Sequence, residues 1–493
     1  MALKIFNTLS GKLEEFVPLH GKEVRMYSCG PTVYDYGHIG NFRTFVAVDI
    51  LRRFLRQSGF KLRHVMNITD VDDKIIRNAA QQSLGVRQYA EKYEQAFLED
   101  ARLLDLEPPE KLVRATEHIP QMAHFIRELE KKQFAYRSED GSYYFRIARF
   151  PEYGKLSKKD FAGIETGVRV DVDEYEKDNA RDFALWKSPK PGEAKWETEL
   201  GEGRPGWHIE CSVMAMEYLG DTLDLHAGGE DLIFPHHENE IAQSEAKSGK
   251  PFSRYWLHVR FLLVEGEKMS KSLGNFYTLR DLILKGHKPS SIRYLLSSVP
   301  YRKQLNFTFD GLRQAAAAVE RLRNFRDRLK NGKFLEGSNP KIAELARETK
   351  SRFAQAMEDD LNTAEGLGVV FEMLRQANAA LDANEVHAAD VPALQQVLEG
   401  FDEIFDVLTD RDAEKLRSTV EWAKAEGKEV SGELAALLKE QTISDHEIEA
   451  LIAQRNEAKK NRDFKRADTL RQQLMEKGII LEDTKEGVRW KRK

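Results

Sequence analysis

The chain has 493 residues, 41% of them apolar and 32% charged, with a formal net charge of −5. This is a globular composition on a chain too long for one core, so about two to four domains are expected. The acidic balance argues against a protein that coats nucleic acid nonspecifically, and only two cysteines exclude a disulfide framework.

No early apolar run reaches signal-peptide length, and no segment approaches the roughly 20 apolar residues that span a bilayer. A cytoplasmic protein without membrane association is therefore expected. Residues 24–28 read as a buried strand, 29–40 as a turn-rich loop, 42–57 as a helix and 61–68 as a second strand. This β-loop-α-β succession is the grammar of a doubly wound, mostly parallel sheet. Residues 70–131 read as mostly helical, and 141–194, charged and without clean periodicity, as an insertion. Strand and helix patterns return at 223–227, 236–247 and 255–264. After residue 308 the pattern becomes helical, with amphipathic stretches at 311–329, 340–357, 363–379 and 391–408. Residues 409–438 are charged and poorly patterned, which suggests a flexible linker or insertion. A final helix at 445–477 and a hairpin-like tail at 479–490 complete the reading. From residue 451 onward there are 13 Lys and Arg against seven Asp and Glu, a local basic excess that could meet a polyanion.

Three stretches carry chemistry. Gly37-His38-Ile39-Gly40-Asn41 joins the first strand to a helix, where backbone N–H groups and the helix dipole favour an anion. Gly37 and Gly40 would let a nucleotide approach the backbone, and His38 and Asn41, three apart, can face one ligand. Lys268-Met269-Ser270-Lys271-Ser272 is a polar loop after a strand, and two lysines with intervening hydroxyls suit a polyphosphate. A structural turn and a charged surface loop would account for these stretches taken singly. Finally, Cys29 and Cys211 are far apart, but Pro235-His236-His237-Glu238-Asn239-Glu240 offers further ligands. His236 and Glu240 at i, i+4 share a helix face, and two thiolates, an imidazole and a carboxylate make a plausible tetrahedral zinc set. From spacing alone, small buried hydrophobes would explain the cysteines as well.

Taken together, His38-Ile39-Gly40-Asn41 and the intact Lys268-Met269-Ser270-Lys271-Ser272 resemble the paired signatures of class I aminoacyl-tRNA synthetases, with an amide at 41 where the family pattern has a second imidazole. Tyr27-Ser28-Cys29-Gly30-Pro31-Thr32, Gly206-Trp207-His208-Ile209-Glu210-Cys211, Phe234-Pro235-His236-His237-Glu238-Asn239-Glu240, Asn67-Ile68-Thr69-Asp70 and Asp359-Asp360-Leu361-Asn362-Thr363 resemble the cysteinyl-tRNA synthetase family, nearly end to end.

The resemblance implies a Rossmann-like doubly wound parallel-sheet catalytic domain at 1–305 with an inserted region at about 120–200. It further implies a helical stem-contact domain at 306–408, a linker at 409–444, and a tRNA-contacting C-terminal helix and tail at 445–493. It implies one zinc ion per chain on Cys29, Cys211, His236 and Glu240. His38, Asn41, Lys268 and Lys271 become catalytic and, with Gly37 and Gly40, nucleotide-binding. Thr69, Trp207 and Asp231 become substrate-binding, and His208 either donates to the site or lies buried beside it. The expected substrates are L-cysteine, ATP with Mg²⁺ and tRNA(Cys), and the expected state is a monomer. Arg455, Lys459, Lys460, Arg462, Lys465 and Arg466 are candidate phosphate contacts, and Trp490 either stacks on a base or pins the terminal element.

Overall fold

The structure is a computed structural model that describes residues 3–159, 169–170, 182–190, 193–432, 434, 445–484 and 487–492. It divides into two compact units, Met1–Thr278 with Arg293–Leu408, and Leu279–Ile292 with Thr409–Lys493.

The first unit is built on a five-stranded parallel sheet. In chain order its main elements are β1 (Glu23–Ser28), α1 (Ile39–Gln57), β2 (Lys61–Ile68), β3 (Lys111–Arg114), α2 (Trp207–Leu219), β4 (Leu223–Gly229), α3 (Glu238–Ser248) and β5 (Ser253–Val259). The strand order β5-β4-β1-β2-β3 runs outward from β1 in both directions. The carboxyl ends of β1 and β4, where the order reverses, therefore flank the crevice in which open α/β sheets take their ligands. Every residue of β4 is buried, as a parallel strand covered on both faces requires.

Helix α1 begins with a reciprocal cap, in which the Asn41 N–H donates to His38 Nδ1 (3.1 Å) and the His38 N–H to Asn41 Oδ1 (3.1 Å). Phe42, Val46, Ile50 and Phe54 then bury one face. The short edge strand β3 escaped the sequence reading. Its four residues are Lys-Leu-Val-Arg, with one fully buried side chain, and only pairing with β2 makes them a strand.

The insertion forms a separate, mostly antiparallel sheet whose members include Tyr143–Phe145 and Asp182–Lys187. It shares an apolar cluster with Tyr27, Cys29 and Cys211. Glu238 ties it down, accepting from the N–H groups of Gly154 (2.9 Å) and Ser157 (2.8 Å). Residues 160–168, 171–181 and 191–192 of the predicted insertion lie outside the described residues.

Four helices complete the unit: α4 (Phe309–Asn331), α5 (Pro340–Glu358), α6 (Thr363–Asp382) and α7 (Val391–Phe405). Each overlaps its predicted stretch. The buried Arg293 fastens them to the sheet domain, donating to the carbonyl of Phe405 (2.6 Å) and to Asp49 of α1 (2.6 Å).

In the second unit the predicted flexible stretch contains a helix, α8 (Asp412–Ala425), which buries Leu416, Val420 and Ala423. Residues 433 and 435–444 of the predicted linker lie outside the described residues. The predicted terminal helix is two helices, α9 (Asp445–Lys460) and α10 (Phe464–Glu476). Arg462 adopts a left-handed φ of 57° between them, and Asp463 caps α10 by accepting from the Arg466 N–H (3.0 Å). The tail is an antiparallel hairpin, Ile479–Thr484 with Gly487–Arg492. Among the described residues no helix is long and apolar enough to cross a membrane.

Candidate metal and nucleotide site

Cys29 follows β1, Cys211 lies on the second turn of α2, and His236 and Glu240 flank the entry to α3. A kinked segment, Ile233–His237, with Phe234 in an extended conformation (φ −139°, ψ 130°), leads into that helix, so the histidines precede it rather than sitting inside it. The i, i+4 relation survives this change, with His236 Nε2 3.1 Å from Glu240 Oε1. Cys29 Sγ lies 3.9 Å from Cys211 Sγ and 3.7 Å from Glu240 Oε1. The sulfur separation is far beyond the roughly 2.05 Å of a disulfide bond, and both cysteines are free. All four donor atoms fall within 4.8 Å of one another, and their residues are buried, from 8% exposed at Cys29 to 0% at Glu240.

Burial pushes both thiols above their ordinary range, and Glu240 adds to the rise at each. Burial likewise lowers His236 to about 4, although Glu240 opposes it, so the imidazole is neutral and able to ligate. Crowded buried groups that become anionic together need a cation among them. The donor set therefore fits a soft or borderline divalent metal.

Sequence reasoning missed the shell around these donors. His226 of β4 places Nε2 2.8 Å from Glu240 Oε2, while His237 places Nε2 3.3 Å from Cys29 Sγ. His237 Nδ1 meets His258 Nε2 (2.8 Å), whose Nδ1 meets the Thr8 hydroxyl (2.8 Å). His236 Nδ1 lies 2.9 Å from His208 Nδ1, so an N–H donated there leaves His236 Nε2 free for a metal. His208 is thus buried beside the site and hydrogen-bonded to His236. Cys29, His226, His237 and Glu240 form a second, overlapping donor set, but it holds one thiolate instead of two and His226 is already the partner of Glu240. The available sequence signal was a histidine inside the buried strand Leu223–Gly229.

Trp207 stacks on His236 with ring centroids 4.2 Å apart. Asp231 is exposed just beyond β4, its carboxylate folded over Gly229, where an added Cβ would lie 2.3 Å from Oδ1. Thr69 is buried, and its hydroxyl accepts from Asn67 (3.1 Å) and donates to Glu210 (3.0 Å), so its hydrogen bonds are spent inside the protein.

The two signature loops meet. The Ile39 N–H donates to the Tyr277 carbonyl (3.0 Å), and the Phe276 ring lies 5.1 Å from both the His38 ring centre and Lys271 Nζ. Lys271 Nζ pairs with Asp35 (2.9 Å), while Asn275 braces the loop by accepting from the Ser270 N–H (2.8 Å) and donating to the Lys268 carbonyl (3.2 Å). Lys268 is exposed. Burial and the Lys271 charge push His38 down to about 4, against the pull of Asp35. With Nδ1 accepting from Asn41, the neutral ring carries its proton on Nε2. The two glycines are also packed closely against protein. A Cβ on Gly37 would lie 2.8 Å from the Phe42 ring, and one on Gly40 2.9 Å from His38 and 3.3 Å from Met269. Their missing side chains make room for these protein groups.

Comparison with known proteins decides the family. Residues 15–317 match the family of class I (C) tRNA synthetase catalytic domains, 352–409 the DALR domain, and 444–490 the cysteinyl-tRNA ligase anticodon binding domain. Cysteine–tRNA ligases of Koribacter versatilis and Solibacter usitatus are 65% and 59% identical, each over 100% of both chains. The chain belongs to the cysteinyl-tRNA synthetase family. It is an enzyme of that family, activating cysteine with ATP and charging tRNA.

The fold is that of the class I synthetases. Methionyl-tRNA synthetase of Mycobacterium tuberculosis in complex with methionyl-adenylate superposes with a TM-score of 0.58 at 14% identity, covering 85% of this chain and 94% of that one. Leucyl-tRNA synthetase of Agrobacterium radiobacter gives 0.58 at 11% identity over 79% and 85%.

Within the anticodon-domain match, Arg455 leaves the phosphate candidates. It is 1% exposed and donates twice to Asp483 (2.9 and 2.7 Å). Trp490 packs on the cluster of Ile448, Ile452 and Leu474, which is the pinning alternative. Lys460, Lys465 and Arg466 are exposed, as are Arg462 and the Asp483-paired Lys459.

Proposed function

We propose that this family member selects L-cysteine through one zinc ion held by Cys29, Cys211, His236 and Glu240. The observation that carries the reading is the convergence of those four buried donors within 4.8 Å. When bound, zinc supplies affinity for a thiolate over a neutral hydroxyl, a discrimination that size and apolar contact alone would limit to about 1–3 kcal/mol.

The remaining roles fall to the chain's own side chains. Trp207, stacked on His236, covers the side-chain pocket. Asp231, exposed at the carboxyl end of β4, binds the substrate ammonium, and Thr69 shapes the wall beneath. In the first step a cysteine carboxylate oxygen attacks the α-phosphorus of ATP and pyrophosphate leaves. His38, donating from Nε2, works with Asn41, the N–H groups around Gly37 and Gly40, Lys268 and Lys271 to align the triphosphate and offset the charge that builds on the leaving group. Mg²⁺ accompanies ATP. In the second step the terminal ribose hydroxyl of tRNA(Cys) attacks the adenylate carbonyl and AMP leaves. The helices at 306–408 contact the stem, and 445–493 contacts the anticodon region through exposed cations such as Lys460, Lys465 and Arg466. The working unit is a cytoplasmic monomer.

The test is Cys211→Ser. Bound zinc and cysteine-dependent exchange between ATP and pyrophosphate should fall together, whereas unchanged metal content and unchanged preference for cysteine over serine would reject the assignment.

A further inference from the structure

Each anionic donor at the metal site has its own neighbour able to give it a proton in a hydrogen bond. For Glu240 it is His226, 2.8 Å from Oε2, and for Cys29 it is His237, 3.3 Å from the sulfur. The chain from Thr8 through His258 supplies one direction for the second. If the Thr8 hydroxyl donates to His258 and His258 to His237, the remaining His237 proton sits on Nε2, facing Cys29.

For Cys211 the neighbour is Tyr27. It lies two residues before Cys29 on the β1 path, so the two-residue strand period aims phenol and thiol at one face, and α2, which carries Cys211, packs against that strand. Tyr27 is 0% exposed, and its hydroxyl, which lies on the side of Cys211, makes no hydrogen bond of ordinary geometry among the described residues. A buried O–H without an acceptor is costly and rarely left so without a use. Cys211 has two groups at hand, Cys29 and Tyr27, and Cys29 cannot donate once it is itself a thiolate.

We propose that Tyr27 is a positioning residue whose hydroxyl donates to the metal-bound Cys211 thiolate and thereby eases entry of the substrate thiolate. The inference rests on the zinc reading above. Two thiolates and a carboxylate already outweigh a dication by one charge, and the substrate sulfur adds another. Three donors on three anionic ligands spread that excess, and Tyr27 is the one whose hydroxyl makes no other hydrogen bond among the described residues.

Full-length protein, loaded with zinc or with cobalt(II), is compared with its Tyr27→Phe variant. Both should bind one metal ion, and the thiolate-to-cobalt absorption should move to longer wavelength in the variant, because an unshielded thiolate donates more strongly. Cysteine affinity should fall about tenfold, the scale of one charge-assisted hydrogen bond, with ATP affinity unchanged. Metal should raise the melting temperature less in the variant, which has lost an orphan group from the free protein and a bond from the loaded one. Should the variant fail to fold, 3-fluorotyrosine at position 27, a stronger donor, should move the band to shorter wavelength. An unmoved band with unchanged cysteine affinity overturns the role of Tyr27. A wild type lacking any thiolate-to-cobalt band overturns the metal reading itself.

Discussion

Asp35→Asn should tighten ATP binding. Lys271 is committed to Asp35 at 2.9 Å, a contact that raises its pKa, and a polyphosphate must draw the ammonium away. The pair is open to solvent, with side chains 68% and 38% exposed. At that separation two charges in bulk water attract by about 1.4 kcal/mol, and the cost of holding two side chains in place reduces exposed pairs to about 0.2–1 kcal/mol. Freeing the lysine should therefore lower the KM for ATP by at most about fivefold. The effect should fade near 1 M salt, where the screening length shrinks to about 3 Å. Pyrophosphate exchange at varied ATP, in low and high salt, measures it, and in a Lys271→Ala background the Asp35→Asn substitution should leave the KM unchanged. A higher KM in the Asp35→Asn variant at low salt would refute the reasoning, because the carboxylate would then be holding Lys271 in its working position.

The remaining expectations concern the capped loop and the terminal unit. Gly40→Ala should cripple pyrophosphate exchange while leaving bound zinc intact, since the new methyl group meets the His38 ring at 2.9 Å; full activity would show that His38 tolerates displacement. Because burial and Lys271 hold His38 near pKa 4, its neutral form is present throughout pH 6–8, and the stability gained from keeping it neutral is lost only as pH falls from the unfolded value of about 6.5 toward 4. Its proton resonance should stay flat above pH 6, and titration near 6.5 would contradict the half-buried, lysine-facing environment. Asp483→Asn leaves the buried Arg455 without its anion and should cost the terminal unit about 2 kcal/mol, seen as faster amide exchange confined to α9, α10 and the hairpin. Deleting 445–493 should weaken tRNA charging and spare adenylate formation, and equal loss of both steps would remove the assigned division of labour.

How much of this was legible follows from where the determining contacts lie. β1, β2 and α1 could be read because burial on both strand faces and one helix face is written directly in the local pattern. His236 and Glu240 could be paired because four residues is one helical turn, a relation that survived even though the helix begins at Glu238 rather than before the histidines. β3 could not be read, since Lys111–Arg114 become a strand only beside β2, nor could the break at Arg462, where the capping carboxylate of Asp463 overrides a continuous helical pattern. The glycines of the first signature show the limit most sharply. Their presence pointed to close approach, which is right, but a sequence cannot say what approaches, and the nearest atoms belong to Phe42, His38 and Met269. The donors around the metal site share that limit: Tyr27, His226, His237 and His258 come from separate strands and turns, with no common spacing. What marks them is a physical requirement that only the assembled site poses. Three ligands that turn anionic in a buried space each need a proton donor as well as the ion, so histidines within apolar strands near a cysteine-containing motif are better read as that second layer than as spare ligands.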